Sequence, residues 1–299
     1  MKIYFDNFDM QSSSGPNSFA KKLGHELIKQ GHEITSDRPH VQLSFIMSGG
    51  RLAPVALRLD GIYFNTMQEW KRMNVSIKQA YDTADLIVFQ SMFNKELVTK
   101  YFGEHKQPFV IHNGANLDLI TDVPVNDDAF FDSFKKIWLC ASSWRPHKRL
   151  AENIRYFFEH AGGHDCLIVA GSGIEVHERV NDPRIFYVGN LTQMQLMGIM
   201  KRAHKFIHLA FLDHCPNVVV DARAAGCQII CASSGGTHEI AGTNAIVIQD
   251  IEWDWKPLEL YRPPLLDFTN IAQVGQESII DMTYVAERYT LVLNTIALR

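Results

Sequence analysis

The sequence predicts an α/β protein with two domains, each built on a parallel β-sheet that is covered by helices. Short apolar runs, typical of strands buried on both faces, alternate with segments of helical periodicity along most of the chain. The chain of 299 residues is 46% hydrophobic, which is enough for a sizeable core, and chains of this size usually divide into two domains. Polar residues follow several predicted strands, so we expect ligand-contacting side chains at the carboxyl ends of the sheets.

Charge and cysteine usage narrow the class of protein. A formal net charge of −4, from 29 basic and 33 acidic residues, provides no basic field for nucleic-acid binding. The N-terminus shows no signal-peptide pattern, and no apolar run is long enough for a membrane span. The cysteines are odd in number and lack a C-x-x-C pair, so we expect reduced, buried thiols in a cytoplasmic protein. They are Cys140, Cys166, Cys215, Cys227 and Cys231.

The N-terminal half begins with a predicted strand over residues 2–6, a polar loop and a helix. Pro16 is a suitable first helical residue, and apolar residues recur at helical spacing until Gly31, which should end the helix. Gly15, in the loop, either lets the backbone approach a ligand or only supplies turn geometry, and the sequence favours neither reading.

The rest of this half continues the alternation and predicts a right-handed, Rossmann-like parallel sheet. We expect Asp60, Ser91 and Asn113, which follow three of its strands, to line one crevice. Arg58 and Asp60 either contact a ligand there or form a local ion pair. The strands are predicted at residues 41–47, 55–59, 85–91 and 108–116, and the helices at 70–84 and 93–101.

The second half opens with a cation-rich turn. Residues 117–132 interrupt the alternation and are interpreted as the interdomain connection, after which a strand over residues 136–143 runs into WRPHKRL. Arg offers fixed planar donors to phosphate oxygens and Lys a mobile charge, so Arg145 and Lys148 are candidate phosphate ligands. The alternative is a solvated basic turn that caps a helix. The potential cations of this turn are Arg145, His147, Lys148 and Arg149.

Gly171 and Gly173 follow a predicted strand at residues 166–170. Position 176 is Val rather than Gly, so the G-x-G-x-x-G fingerprint is incomplete and a nicotinamide cofactor is disfavoured. The two glycines suit either the close approach of a nucleotide or a plain turn. A strand at residues 184–190 then precedes a helix at 191–203. Its methionines recur every three residues and predict a packing face; they are Met194, Met197 and Met200.

Residues 211–226, FLDHCPNVVVDARAAG, form the strongest candidate site. They lie between predicted strands at 205–211 and 228–236, with a helix expected from about Pro216. A helix N-terminus beyond a buried strand attracts anions. Asp213 in the preceding turn and Asp221 in the helix could each accept two hydroxyl donors, which favours a sugar nucleotide. The alternative is that Asp213 caps the turn and Asp221 is solvated.

Together, these motifs resemble those of retaining nucleotide-sugar glycosyltransferases of the GT-B fold, similar to glycosyltransferase family 4. The resemblance extends over nearly the whole chain and rests on the order and spacing of several motifs. They are SGPNSFAKKLGHELIKQGHE, QSMFNKELVTKYFG, VIHNGAN, ASSWRPHKRL, LIVAGSGIE, FYVGNLTQ and the region from residue 213 to 236. Two glutamates separated by seven residues mark the family, and Asp213 and Asp221 occupy these positions here.

The resemblance implies two Rossmann-like domains whose parallel sheets face a central cleft. Residues 1–120 would form an acceptor-side domain, followed by a linker over residues 121–134. Residues 135–281 would form the nucleotide-sugar-binding domain, which includes an irregular, Trp- and Pro-rich segment at 251–264. Residues 282–299 would form a helix that returns to the first domain.

The resemblance also implies roles for individual residues. Asp213 would touch the transferred sugar and Asp221 the ribose, while Arg145 and Lys148 would clamp the diphosphate. Asp60 stands where many members have a histidine near the reacting carbon, which makes it a catalytic candidate. The remaining donor-binding candidates are Gly15, Ser143, Gly171, Gly173, Asn217 and Val218.

The activity implied is the transfer of a hexose, of mannose or glucose type, from a GDP- or UDP-sugar to a hydroxyl of a glycan or other acceptor. No metal or cofactor is expected, because a diphosphate leaving group needs electrostatic stabilisation rather than a protonating acid. A sugar-nucleotide epimerase and a non-enzymatic sugar-nucleotide-binding protein are the alternatives. An epimerase would need acid and base side chains that face the sugar.

Overall fold

The computed structural model describes residues 1–12, 14–272 and 275–298, and it contains two six-stranded β-sheets. Hydrogen-bonded neighbours in both sheets run parallel. The strands at Val41–Phe45, Val55–Leu59, Leu86–Phe89 and Asp165–Ala170 are buried along their whole length, as expected where helices cover both faces of a sheet. The α/β fold class predicted from the sequence is confirmed.

The first sheet is formed by the N-terminal part of the chain. Its elements are β1 (Lys2–Asp6), α1 (Gly15–Lys29), β2 (Glu33–Ile34), β3 (Val41–Phe45), β4 (Val55–Leu59), α2 (Trp70–Met73), α3 (Val75–Thr83), β5 (Leu86–Phe89), α4 (Met92–Phe102) and β6 (Pro108–Val110). The strand order is β2-β1-β3-β4-β5-β6. The chain therefore builds outward in both directions from β1 and β3.

The second sheet follows a short connecting helix. The elements are α5 (Leu117–Asp122), β7 (Lys136–Ala141), α6 (Leu150–His160), β8 (Asp165–Ala170), β9 (Ile185–Gly189), α7 (Gln193–Arg202), β10 (Lys205–His208), α8 (Asn217–Ala224), β11 (Gln228–Ala232), α9 (Thr237–Ile240), β12 (Ile246–Ile248) and α10 (Met282–Asn294). The strand order is β12-β11-β10-β7-β8-β9. Short 3-10 helices lie at Ala129–Ser133, Pro146–Lys148 and Val176–Glu178.

Helix α1 shows how sequence pattern becomes packing in this fold. Pro16 lies in its first turn, and Phe19, Leu23 and Leu27, at helical spacing, are fully buried against the first sheet. The chain leaves the helix before Gly31, whose φ of +82° is one that glycine adopts without steric cost. Helix α10 packs on α1, and its Tyr289 ring lies 5.8 Å from that of Phe19. The C-terminal helix thus contributes to the core of the first sheet.

Several predicted elements differ from those observed. The helix expected over residues 70–84 is divided at Asn74, because its side chain bonds both the backbone N–H and the carbonyl of Tyr63. The connection at 117–132 contains α5, which buries Ile120 in the second core. Met194 is 58% exposed, so the packing face of α7 includes only Met197 and Met200 of the three methionines. The domain boundaries at residues 120 and 135 stay a prediction.

Residues 251–260, named here the crossover segment, leave the second sheet and pack on the first domain. The N–H of Thr66 donates to the carbonyl of Leu258 at 2.9 Å, and the Trp253 ring lies 4.8 Å from that of Phe64. Tyr101 also donates to the carbonyl of Trp255. The irregular segment predicted here is therefore a defined contact between the domains.

All five cysteines are buried with free thiols, as their spacing predicted. Within the described ranges, no helix combines the length and the apolar character needed to cross a bilayer.

Candidate functional site

The carboxyl ends of the two sheets face each other, and the loops that follow the strands are in contact. A side chain on Gly236 would collide with Ser91, whose hydroxyl oxygen lies 2.6 Å from the position of such a Cβ. The ring of His214 similarly covers Gly61, and Asn113 donates to the carbonyl of Cys215 at 2.7 Å. Open α/β sheets place ligands at this edge, so the cleft between the domains is the candidate site.

Asp213 is the centre of a charged cluster at the end of β10. Its Oδ2 lies 2.5 Å from Lys148 Nζ and 2.9 Å from His208 Nε2, while Oδ1 accepts the N–H of His214. Burial alone would raise the pKa of Asp213, but Lys148 and His208 outweigh it and hold the pKa well below its ordinary value. Asp213 is therefore a carboxylate at neutral pH. It can accept hydrogen bonds from hydroxyl groups but cannot act as a general acid.

The cation-rich turn divides into ligand-accessible and structural residues. Arg145 is exposed, and in the described part of the chain its guanidinium has no partner. Arg149 is buried and forms a bidentate ion pair with Asp250, at 2.7 and 3.2 Å. His147 stacks on Tyr261, and its pKa falls to about 3, first because of burial and then because Lys148 is near. Two of the four expected cations are thus unavailable to a ligand, whereas Arg145 remains and Lys148 keeps donors beyond the one that it gives to Asp213.

Two helix N-termini meet beside this cluster. The side chain of Asn217, the first residue of α8, donates to the carbonyl of Gly15, the first residue of α1, at 3.0 Å. Among the described residues, no side chain caps either helix. Uncapped N–H groups and the positive ends of the helix dipoles favour an anion at this point. Gly15, Asn217 and the half-buried Val218 therefore lie where a diphosphate would be stabilised.

Asp221 is bound to the other domain. Lys22 of α1 lies 2.7 Å from its Oδ1 and 3.0 Å from its Oδ2, and also approaches the carbonyl of Gly114 at 3.4 Å. The predicted spacing of Asn217 and Asp221, one turn apart on α8, explains why both reach α1. Nothing local in the sequence indicates Lys22 as a partner.

Gly171 and Gly173 are required by the packing of two loops. A Cβ on Gly171 would overlap the carbonyl oxygen of Ser142, and one on Gly173 would lie 2.5 Å from the carbonyl oxygen of Trp144. The N–H of Trp144 also donates to the carbonyl of Ser172. The turn after β8 thus supports the loop that carries the exposed Ser143 and Arg145 into the cleft.

Arg58 and Asp60 form the local ion pair that was one of the two interpretations. Arg58 is fully buried, stacks over Phe19 at 3.9 Å and also donates to Asn113 at 2.7 Å. Burial raises the pKa of Asp60, although Arg58 opposes this. One oxygen of Asp60 is buried without a hydrogen-bond partner in the described ranges. Arg58 contacts both Asp60 and Asn113 and so fixes the two side chains next to each other, while the crevice expected from Asp60, Ser91 and Asn113 stays a prediction.

Glu239 and His208 are important site residues that the sequence patterns did not indicate. Glu239 accepts the N–H groups of Met92 and Phe93, at 2.8 and 2.9 Å, and so caps α4 of the other domain. His112 also contacts it at 2.8 Å. Burial raises the pKa of Glu239, but His112 and the two N–H groups give a net decrease. The only feature of the sequence that pointed to Glu239 was its position four residues after Gly235.

Among the described residues, no group of three His, Cys, Asp or Glu side chains is placed to hold a metal ion. The expectation of a metal-independent site stays a prediction.

Comparisons with known proteins agree with this architecture. No family model matches the chain, and no curated protein matches it in sequence. Solved structures match over the full length. Anabaena HepE, in complex with UDP and glucose, has a TM-score of 0.70 at 13% identity and covers 99% of this chain and 100% of its own. HepE has also been solved with UDP-glucose.

Two further structures extend this similarity. Sucrose-phosphate synthase from Thermosynechococcus elongatus has a TM-score of 0.70 at 11% identity, with 98% of both chains covered. WaaG, a glycosyltransferase involved in lipopolysaccharide biosynthesis, has a TM-score of 0.58 at 10% identity and covers 98% of this chain and 92% of its own. The chain therefore has the GT-B fold of these glycosyltransferases, as its resemblance predicted.

Proposed function

We propose that the protein transfers a hexose from a nucleoside-diphosphate sugar to a hydroxyl of a glycan or other acceptor, with retention of the anomeric configuration. The observation that carries the proposal is the contact of Lys148 with Asp213, four residues before the N-terminus of α8, together with the exposed Arg145, which has no partner among the described residues. This arrangement provides cations and N–H donors for a diphosphate next to a carboxylate for sugar hydroxyls. The UDP and UDP-glucose complexes of HepE support a donor of the GDP- or UDP-hexose class.

The proposed reaction breaks the bond between the anomeric carbon and the diphosphate oxygen. The acceptor hydroxyl forms the new bond on the same face of the sugar, and its proton passes to an oxygen of the departing diphosphate. Arg145, Lys148 and the N–H groups of α8 stabilise the negative charge that develops. Removing one such preorganised donor typically costs about 3 kcal/mol in the barrier. No acid and no metal is required in this scheme.

Asp213 holds the transferred hexose through its hydroxyls, and its depressed pKa keeps it in the acceptor form. Asp221 binds the ribose, for which it must share its carboxylate with Lys22 or exchange that partner. Ser143, Gly171 and Gly173 shape the side of the cleft where the nucleotide lies. Asp60 lies at the end of β4, and one of its oxygens is buried without a partner in the described ranges, which supports the proposal that it faces the reacting carbon. Closure of the two domains over the bound donor would exclude water and limit hydrolysis.

The test is incubation of the protein with UDP-glucose and GDP-mannose, separately and in the presence of an array of neutral oligosaccharides. Transfer produces free UDP or GDP together with an extended oligosaccharide, both detected by mass spectrometry. The appearance of a new sugar nucleotide without any acceptor would instead identify an epimerase. Binding of the donor with neither transfer nor slow hydrolysis would identify a non-enzymatic binding protein.

A further inference from the structure

A cavity of about 370 Å³ lies beside the loops that follow β11 and β12, whereas Lys148 follows β7. Its lining includes the first turn of α4, with Met92, Phe93 and Glu96, and the crossover segment, which packs on that turn. Its volume falls in the range of about 300–1,000 Å³ that is typical of small-molecule sites. None of the residues assigned above to the nucleotide or the transferred sugar lines it.

Aromatic rings cover one side of this cavity. The ring of Trp253 lies 5.1 Å from that of Trp255, and Phe93 stacks on Trp255 at 5.5 Å. Both tryptophans are only half-buried, although they hold the crossover segment on α4. Rings of this kind provide an apolar surface for the C–H face of a ligand.

Polar groups on the remaining sides have capacity to spare. Glu96 and Glu252 are exposed, and within the described ranges their carboxylates form no hydrogen bond or ion pair. Nδ1 of His238 is buried without a partner in the same ranges. The amide nitrogen of Gln249 is used by the backbone of Asp250, which leaves its oxygen available. These are acceptors for hydroxyl groups.

The charge of the lining excludes the ligands of the main cleft. No Lys or Arg is found among the described residues that line the cavity, and two unpaired carboxylates are. A phosphate, a nucleotide or an acidic sugar would meet repulsion from these carboxylates, because the described lining itself holds no cation. Lys100 lies outside the lining, 5.5 Å from the Trp255 ring. An uncharged ligand with several hydroxyls and an apolar face matches both the aromatic rings and the hydrogen-bond acceptors of this lining.

We propose that this cavity binds a neutral sugar residue, whose hydroxyls bond Glu252, Glu96 and Gln249 while its ring lies against Trp253. Leu212, which precedes Asp213 in the chain, and Gly235, which forms a β-bridge with Asp213, both line the cavity. The N–H of Gly236 also donates to the carbonyl of Asp213 at 2.7 Å. A bound sugar thus contacts the reverse side of the loop that carries Asp213. The assignment of this sugar to the glycan acceptor rests on the proposed function, whereas the binding itself does not.

Saturation-transfer NMR on the full chain, without any nucleotide, tests the binding. The probes are maltotriose and mannotriose, with choline as a cationic comparison. We expect saturation of the sugar C–H protons and no signal from choline. Trp253→Ala should weaken binding at least about fivefold, through loss of the apolar surface. Glu252→Gln, which preserves shape, should weaken it about threefold by removing a charged acceptor.

Matched controls lie outside the cavity. Trp70→Ala on α2 and Glu287→Gln on α10 should leave the binding unchanged. Absence of binding by both trisaccharides, binding of choline alone, or equal binding by Trp253→Ala, Glu252→Gln and the wild-type chain would overturn the proposal. Trp253-dependent sugar binding by a chain that never transfers a hexose would keep this cavity assignment and overturn the proposed function instead.

Discussion

Lys22 Nζ lies 2.7 and 3.0 Å from the two carboxylate oxygens of Asp221, and this contact joins α1 of the first domain to α8 of the second. Their side chains are only 8% and 13% exposed. Asp221 is the residue to which the family resemblance assigns the ribose hydroxyls. The carboxylate is therefore engaged by an internal cation at the place where a donor is proposed to bind.

Lys22→Met is expected to separate the effect of this ion pair on stability from its effect on nucleotide binding. Leaving one charge of a buried pair without its partner should lower the free energy of unfolding by about 3 kcal/mol, measured by urea denaturation. Removing the competitor should also tighten the binding of UDP or GDP several-fold in calorimetry. Lys29→Met, on the same helix but exposed, is the control. Unchanged affinity for both nucleotides would show that Lys22 does not compete with the ribose.

Asp221→Ala is expected to weaken the binding of the free nucleoside diphosphate, because two hydroxyl acceptors are lost. In the Lys22→Met background the loss should be larger, since the carboxylate is then fully available to the ribose. Calorimetric titration of the four proteins forms a double-mutant cycle. Equal affinities with and without Asp221 would count against the ribose role.

Lys148→Ala is expected to lower turnover at least about tenfold while the protein stays folded, because the proposed diphosphate loses a preorganised cation. Initial rates with saturating donor measure the effect, and circular dichroism checks the fold. Lys106→Ala, which changes an exposed lysine far from the cleft, should retain full activity. Near-normal turnover of Lys148→Ala would remove this residue from the mechanism.

Stability should fall when the pH is lowered from about 6.5 towards 4. Burial lowers the pKa of His214 to about 4 and that of His147 to about 3, so both stay neutral when folded while their unfolded forms bind protons. Each then reduces the free energy of unfolding by roughly 1.4 kcal/mol per pH unit in this window. The depressed pKa of Asp213 has its effect only below the window, near and under pH 4.

Urea denaturation across this pH range of the wild type and His214→Asn measures the slope. Asparagine offers an oxygen to Asn94, which the ring nitrogen now contacts at 3.1 Å, and it does not titrate. The variant should show a shallower pH dependence whatever its absolute stability. Parallel slopes for the two proteins would show that His214 is not a buried neutral group.

Gly171→Ala is expected to destabilise the protein by about 2 kcal/mol or more, since φ is +112° and the new methyl group would overlap the carbonyl of Ser142. Gly163→Ala is the matched control, because its Cβ would meet nothing within 4 Å. Thermal denaturation compares the two. Equal stabilities would mean that the loop carrying Arg145 does not depend on this turn.

The sequence predicts the strands of this protein better than the contacts between its domains. Strands β1 and β4 have the predicted limits, because short, largely apolar runs bounded by polar segments define a buried parallel strand locally. Arg145, Lys148 and Asp213 were also expected to converge, since the carboxyl ends of neighbouring strands meet at one edge. Their proximity follows from topology without any knowledge of side-chain positions.

The contacts of Lys22, His208 and Glu239 could not be predicted in the same way. Lys22 and Asp221 are 199 positions apart. The apolar periodicity of α1, which contains Lys22, predicts which face of the helix is buried but not which residue Lys22 contacts. His208 lies in β10 next to apolar residues, and only the hydrogen bond between its ring and Asp213 shows that it belongs to the site. Two partners of Glu239 are backbone N–H groups, which leave no trace in side-chain patterns, and the third, His112, lies 127 positions away along the chain.

The crossover segment limits how the two domains can move. Besides the connection through α5 and the return of α10, residues 251–260 join the second sheet to α4 and to residues 64–66. Two domains that are joined along one side of a cleft separate most easily along the other side. In the proposed reaction, admission of a donor beside β7, β8 and β9 would require the Lys22–Asp221 ion pair and the Asn217–Gly15 hydrogen bond to open, while the contacts of the crossover segment persist. Shortening or stiffening the crossover segment should then change the rate of donor exchange before it changes the chemistry.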